Sequence, residues 1–433
     1  MPNDITVLPG VYYEEEVTYE LTGEGSKIPV FIGKTGNTIG ANETSNYTVN
    51  GTEILKFTNV TDVLKPIKKT GTDWKAKTGI INGEITYDAS GKPQIPSTNE
   101  LAQAIYDFYE ESKLLQSGDV GVPYIYVIDI GEANDETAWV TALDSAKGLF
   151  DATVEVYVGG YIDETTANNV TTRTPIMFKS GNKTYSLVDF LSGASHSLRV
   201  EAKDLNLRYG FTTLKGATDE DLKDAVDSLL NAVDESEDHY LKDYSRIGLV
   251  EPKKFGKIIA RICCTPNNRE PGYYKFRSIN PETFDKRTKT EMLALQDKGV
   301  IFGRDEHING NIYPKINLCT SVAFASDTRP ADSMFHARFN ADDLLREVFE
   351  ACYPQVKANE SATNIAYLQT RINKIVNDRV TAEEMIKYDE RKEIGTKLTV
   401  TVSDNKPYSL IVTGQIHPVK CTIAIEVEAT IRL

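Results

Sequence analysis

Apolar and polar side chains alternate through the last residues of the chain. Cys421, Ile423, Ile425, Val427, Ala429, Ile431 and Leu433 fall on one face of an extended strand, and Thr422, Ala424, Glu426, Glu428, Thr430 and Arg432 on the other, because strand side chains repeat every two residues. Such a strand reaches roughly 40 Å at ~3.3 Å per residue, whereas the usual strand has about five or six residues. It needs a sheet to join, either the edge of its own domain or the sheet of another molecule. A second alternating stretch opens the chain: Val11, Tyr13, Val17 and Tyr19 share a face that only Glu15 interrupts. Gly23 and Gly25 make a flexible joint behind it. Gly414 and Pro418 are expected to form the matching joint ahead of the terminal strand.

Between the two ends the pattern alternates between strand and helix. The apolar run 28–33 (IPVFIG) fits a buried strand. Residues 37–98 are rich in Asn, Thr, Gly and Lys and read as a loop-rich insertion with strand-like pieces such as 53–57. Residues 99–115 place Leu101, Ala104, Ile105, Phe108 and Leu115 on one helical face. A strand at 123–130, a helix at 135–150 carrying Trp139, Leu143 and Ala146, and a strand at 153–158 follow. After a polar link at 163–183 comes an amphipathic helix, 219–233, with Leu222, Val226, Leu229 and Leu230 inward. Then come a strand at 257–265 (KIIARICCT), a helix at 281–298 and a strand at 299–303. Two further helices, 341–353 and 361–380, precede a β run from 397 to 433, in which 398–403 and 408–413 flank a hairpin turn at 404–407.

This order predicts an α/β (α+β) multidomain chain, with mixed sheets flanked by helices and an extended β-arm at each end. The expected divisions are an arm and hinge (1–26), an α/β domain (27–160) holding the 37–98 insertion, a second α/β domain (161–300), and a C-terminal core domain (301–433) ending in the 421–433 arm.

The 433 residues are 40% hydrophobic, enough for real cores. No apolar run approaches the ~18 residues that span a bilayer, and the N-terminus has no basic segment followed by an apolar one. The chain is therefore expected to be soluble and made in the cytosol, with Asn42, Asn46, Asn50 and Asn59 ordinary loop residues. Five cysteines include no C-x-x-C pair and read as reduced packing residues. A net charge of −15 argues against nucleic acid or an anionic membrane as partner. Its distribution is uneven. Residues 1–26 carry Asp4, Glu14, Glu15, Glu16, Glu20 and Glu24 with no Lys or Arg, 219–243 is acidic, and 253–298 is basic. Such regions can pair between copies, or be plain solvated surface.

Candidate chemistry is thin. Gly33-Lys34-Thr35 follows a strand like the end of a phosphate-binding loop, but Ile28 stands where the loop needs its first glycine. His196, His239, His307, His336 and His417 show no metal-ligand spacing. Arg304-Asp305-Glu306-His307 is either an acid–base pair or a surface turn, and Ser192 and Ser195 beside His196 lack a nucleophile elbow. No catalytic, cofactor-binding or metal-binding residue is assigned, and no cofactor is expected.

In order and spacing, several segments resemble the contractile tail sheath proteins of phages and related injection systems. They are Pro9-Gly10-Val11-Tyr12-Tyr13-Glu14-Glu15, Pro29-Val30-Phe31-Ile32-Gly33-Lys34-Thr35-Gly36 (the form P-x-F-I-G-x-x-G), 57–62, the helix and strand at 101–108 and 123–127, and the terminal helices with their alternating strand. The resemblance implies a subunit that polymerises as a helical tube around an inner tail tube and contracts by rigid-body repacking, without ATP, to drive the tube through an envelope. Its partners would be other copies, the inner tube protein, and baseplate and tail terminator proteins, with no nucleic acid and no membrane insertion. It would reside in the virion tail after assembly in the host cytoplasm. The arms lent to neighbours would be Val11, Tyr13, Val17 and Tyr19 at one end and Ile423, Ile425, Val427 and Ile431 at the other. Arg371, Lys374 and Arg379, against the single acid Asp378, would face the tube, unless they are the solvated side of a core helix. Two readings stay open beside this one. One is an α/β enzyme whose dispersed acids and His307 converge; the other is a different self-assembling tail or surface-layer protein.

Overall fold

Residues 28–33 are apolar throughout because the strand they form is covered on both faces. The computed structural model of the chain describes residues 27–34, 48–49, 52–60, 86–95, 99–115, 119–130, 136–149, 151–180, 183–203, 206–231, 244–308, 310–325, 333–355, 361–402 and 410–419. Both alternating arms, Gly23, Gly25 and the 404–407 turn lie outside these residues.

In chain order the first elements are β1 (Ile28–Gly33), β2 (Thr48–Val49), β3 (Thr52–Phe57), β4 (Thr86–Tyr87), β5 (Pro93–Gln94), α1 (Glu100–Ser112), β6 (Ile125–Asp129), α2 (Glu136–Ala146), β7 (Ala152–Ala167), β8 (Val170–Ser180) and β9 (Lys183–Ser186). Then come α3 (Leu187–Lys203), β10 (Tyr209–Lys215), α4 (Asp219–Leu230), β11 (Ile247–Val250), α5 (Phe255–Cys264), α6 (Lys289–Asp297), β12 (Val300–Ile301), β13 (Gly303–Ile308) and β14 (Asn311–Ile316). The chain closes with α7 (Phe335–Cys352), α8 (Ala362–Thr381), β15 (Lys397–Val402) and β16 (Leu410–Gln415).

One ten-stranded sheet organises the molecule, eight of its strands in the order β12-β11-β10-β7-β1-β6-β3-β2 and the other two, β8 and β9, attached in turn to β7. Its strands from β12 to β6 run parallel, and β3 is antiparallel to β6. Alternate strand residues feed two cores. Phe31, Val127, Val156 and Phe211 pack with α1, α5 and Phe335 and Phe339 of α7, while Ile32, Ile128, Tyr157 and Leu249 pack with α2, α3, α4 and α6. This is the α/β layering the sequence predicts. The expected boundary at 160/161 falls inside β7, where the strand leaves the sheet for a projecting hairpin. β10, β11 and β12 then rejoin the same sheet, so segments 27–160 and 161–300 share both cores.

Several expectations need correction. Residues 257–264 lie in helix α5 rather than a strand: Lys257 and Arg261 stand four apart, as on one face of a helix, but every side chain of α5 is buried and the isoleucines and cysteines around them read as a buried strand. The helix expected at 281–298 begins only at Lys289, where Thr288 and Glu291 make a capping box. The polar link at 163–183 is the β7–β8 hairpin, turning at Asn168 and Asn169 with φ of 53° and 62°, the positive values a tight hairpin turn uses. Arg173 holds the hairpin down through Asp221 (2.9 Å) and the Gly216 carbonyl (2.8 Å). The strand-like piece 53–57 within the insertion is β3 of the main sheet. Helix α3, which buries Leu187, Leu191, Ala194 and Leu198, has no counterpart in the sequence reading.

The last segment builds a smaller unit. Ala341, Leu344, Val348, Leu368, Ile372, Val376, Leu398 and Val400 form a third core between α7, α8 and β15. β15 and β16 pair antiparallel in the register Val400↔Val412, flanking the predicted turn.

Candidate functional site

Helix α7 ties the small unit to the large sheet through two adjacent carboxylates. Asp342 accepts from Nη1 and Nη2 of Arg246 (2.8 and 3.0 Å) and from the Tyr209 hydroxyl (2.5 Å). Neighbouring residues on a helix lie about 100° apart, so Asp343 faces elsewhere. It accepts from Asn267 (3.0 Å) and lies 3.4 Å from Arg379 of α8. All these side chains are buried. Lys27, at the head of β1, adds a further tie. It is buried, donates to the Ile262 carbonyl (3.3 Å) and the Thr265 carbonyl at the end of α5, and lies 4.5 Å from the Phe339 ring of α7. Burial lowers its ammonium to about 8.

Helix α8 shows which expected tube-facing residues are available. Leu368, Ile372 and Val376 point into the core, and Arg379 continues that stripe at 4% exposure. Arg379 pairs with Glu384 (2.6 Å), Glu347 (3.1 Å) and Asp343, so its expected place on a solvent-facing basic surface is corrected: two buried carboxylates and the half-exposed Glu347 hold it. Arg371 and Lys374 are exposed, and Lys374 also reaches Asp378 (3.2 Å). Part of the basic stretch 253–298 is likewise spent inside the molecule, while Lys253, Arg269, Arg277, Lys286 and Lys289 stay exposed. Lys257 meets Glu110, Arg261 meets Asp119, and Arg287 meets Asp219 and Glu251.

The expected C-terminal joint also lies in paired backbone. Gly414 stands within β16, where an added Cβ would meet the Lys397 carbonyl oxygen at 1.9 Å. Pro418 bridges Met385, and the Ile386 N–H bonds the His417 carbonyl while the Val419 N–H bonds Glu384 (both 2.8 Å). Any joint ahead of the terminal arm therefore begins after Val419. Among the described residues, β15 and β16 make a two-stranded sheet whose outer edges pair with no further strand. Such edges present unpaired N–H and C=O groups and can template another chain.

The remaining chemical candidates resolve into structure. Gly33 is a close-packing glycine: a Cβ there would lie 2.3 Å from the Val158 carbonyl oxygen. Residues 304–307 lie in β13, where Glu306 binds Lys315 (2.6 Å). The Ser192 hydroxyl bonds Tyr244 (3.1 Å). Cys263, Cys264 and Cys319 are free and buried, and burial pushes their thiols above the ordinary value. Among the described residues no group of His, Cys, Asp and Glu could hold a metal, and no helix is long and apolar enough to cross a membrane.

No family profile and no curated protein sequence matches the chain. Solved structures do. A chain of the anti-feeding prophage baseplate, from a 6-fold symmetrised cryo-EM structure, superposes with a TM-score of 0.56 at 11% identity, covering 99% of this chain and 100% of that one. A chain of the anti-feeding prophage helical sheath in its contracted state gives 0.55 at 10% identity, with 99% of each chain covered. The chain thus shares its fold with these chains of the prophage baseplate and contracted sheath.

Proposed function

We propose that the chain is a non-enzymatic structural subunit of a contractile injection device, polymerising as a helical sheath around an inner tube. The observation that carries this reading is the end-to-end fold match to a contracted helical sheath. The strand edges of β15–β16 and the alternating ends of the chain support it. A neighbour's arm, built on Val11, Tyr13, Val17 and Tyr19 or on Ile423, Ile425, Val427 and Ile431, would add to such an edge by β-augmentation. Repeated head-to-tail, that contact makes an open helix. Contraction would then move rigid bodies that strand ladders link, with Gly23 and Gly25 as one joint and the residues after Val419 as the other. Baseplate and terminator proteins would close the tube's ends. The exposed pair Arg371 and Lys374 would contact the inner tube weakly enough for it to slide.

The test is negative-stain microscopy of the purified chain, with and without residues 421–433. The full chain should give long striated tubes and the truncated one dispersed monomers. Compact particles at every salt concentration would sink the sheath reading, and tubes from the truncated chain would show that the terminal strand is not lent. A second reading, a baseplate-resident subunit of the same fold, draws on the equally good match to the prophage baseplate. Short closed rings without tubes would favour it. Reversing charge at Arg371 and Lys374 should weaken co-assembly with inner tube while sparing self-assembly; unchanged co-assembly removes these two residues from the tube contact.

A further inference from the structure

The two outer edges of the β15–β16 sheet are not equivalent. In an antiparallel pair the backbone groups of successive residues point alternately toward the partner and away from it. Gln369 of α8 reaches two groups on the outer side of β15. Its Nε2 donates to the Leu398 carbonyl (2.9 Å), and its Oε1 accepts from the Val400 N–H (2.7 Å). A strand lying parallel to β15, with one residue opposite Thr399, would use the same two groups. The carboxamide therefore fills one position of a β-ladder. Asn373, one turn along α8, steadies it by accepting a second bond from Nε2 (2.8 Å).

The outer edge of β16 has no such cover among the described residues. The segment 384–386 pairs with 417–419 from the β15 side, since Ile386 accepts from the Thr396 N–H while donating to His417. The far edge consequently continues from Leu410 to Val419. Leu410, Val412 and Ile416 turn toward the third core, so a strand added there should be apolar on that side and polar on the other. Residues 421–433 have that pattern. They are poorly placed to fold back onto their own β16. The reversal would fall on Val419-Lys420-Cys421, with no Gly, Asn or Asp to take the positive φ values of a two-residue hairpin turn.

We propose that Gln369 is a removable stopper, holding the outer edge of β15 closed in the free subunit so that the first strand accepted, residues 421–433 of a second copy, adds to the outer edge of β16. This rests on the strand-exchange reading above and adds to it an order and a gate. A closed edge also limits premature pairing, which is how many natural sheets protect themselves.

Amide hydrogen exchange on the full chain, below its assembly concentration, tests the proposal. In Gln369→Ala the Val400 amide should exchange about tenfold faster or more, as for a bond that opens locally, while the amides of Thr399 and Thr413 keep their rates. Gln369→Glu, which has no N–H for Leu398, should lie between the two. Adding a synthetic 421–433 peptide should protect Leu410, Val412 and Gly414 in the wild type, and Val402 as well in Gln369→Ala. Equal protection of both edges in the wild type, or an unchanged Val400 rate in Gln369→Ala, overturns the proposal. Protection confined to the chain's own 421–433 segment would mean that the strand folds back in cis, and overturns it too. If wild-type tubes form and these results fail, only the stopper is lost. If neither tubes nor peptide protection appear, strand exchange falls with it.

Discussion

Asp342→Ala should lower the stability of the dilute subunit by about 3–5 kcal/mol, the usual cost of removing one partner of a buried ion pair. The loss exceeds the worth of the contact itself. The buried Arg246 guanidinium would lose this carboxylate to a methyl group, and the wholly buried Tyr209 hydroxyl would lose this acceptor. Because the penalty comes from the stranded cation, Asp342→Leu combined with Arg246→Met should recover most of it, as well-packed apolar replacements of such pairs often do. Urea unfolding midpoints compare the three proteins. A loss below about 1 kcal/mol for Asp342→Ala, the range of exposed pairs, would mean that water reaches the site. Asp343 is the weaker tie, since burial pushes its carboxyl up to about 7 against the pull of Arg379, whose closer partner is Glu384. Of the two carboxylates, Asp342 is thus the stronger tie, beside the packing of Phe335 and Phe339 into the first core.

What the amino-acid pattern reveals of this fold depends on where water lies. α4 is legible because one side is wet: Leu222, Val226 and Leu229 recur at helical spacing, and Thr218 with Asp221 marks its start. β1 is legible because both sides are dry. α5 is harder: Lys257 and Arg261 stand four apart, as on one face of a helix, but the three isoleucines and two cysteines around them read equally as a buried strand. The β7–β8 hairpin fails for the opposite reason: its outer half is solvated on both faces, so no apolar alternation appears. Within α8 the signal for Arg379 was present. It lies three residues beyond Val376, on the stripe of Leu368 and Ile372, and that position predicts burial. Gln369 left no trace, because the backbone groups it bonds lie some thirty residues later and any polar side chain beside Leu368 looks alike in sequence.

Gly256→Ala sets two effects of opposite sign against each other. Within a helix alanine is favoured over glycine by about 1 kcal/mol, so on propensity alone the substitution should stabilise α5. Packing points the other way. A Cβ at Gly256 would lie 2.0 Å from the Ala104 carbonyl oxygen of α1 and 2.9 Å from the Asp107 Cβ. The first obstacle is backbone, which no rotamer change can move, so α1 and α5 must separate by more than an ångström. Both helices pack Phe108, Ile258, Ile259 and Ile262 into the same core, so separating them loosens contacts along their length. Overpacking of this kind costs about 1–3 kcal/mol and sometimes more; with the propensity gain of about 1 kcal/mol subtracted, a net loss of about 1 kcal/mol is expected, and more where the backbone contact cannot relax. Urea unfolding of Gly256→Ala reads the balance directly. A net gain in stability would show that α1 can shift at little cost, and a larger loss for Gly256→Val than for Gly256→Ala would identify the helix–helix approach as the cause.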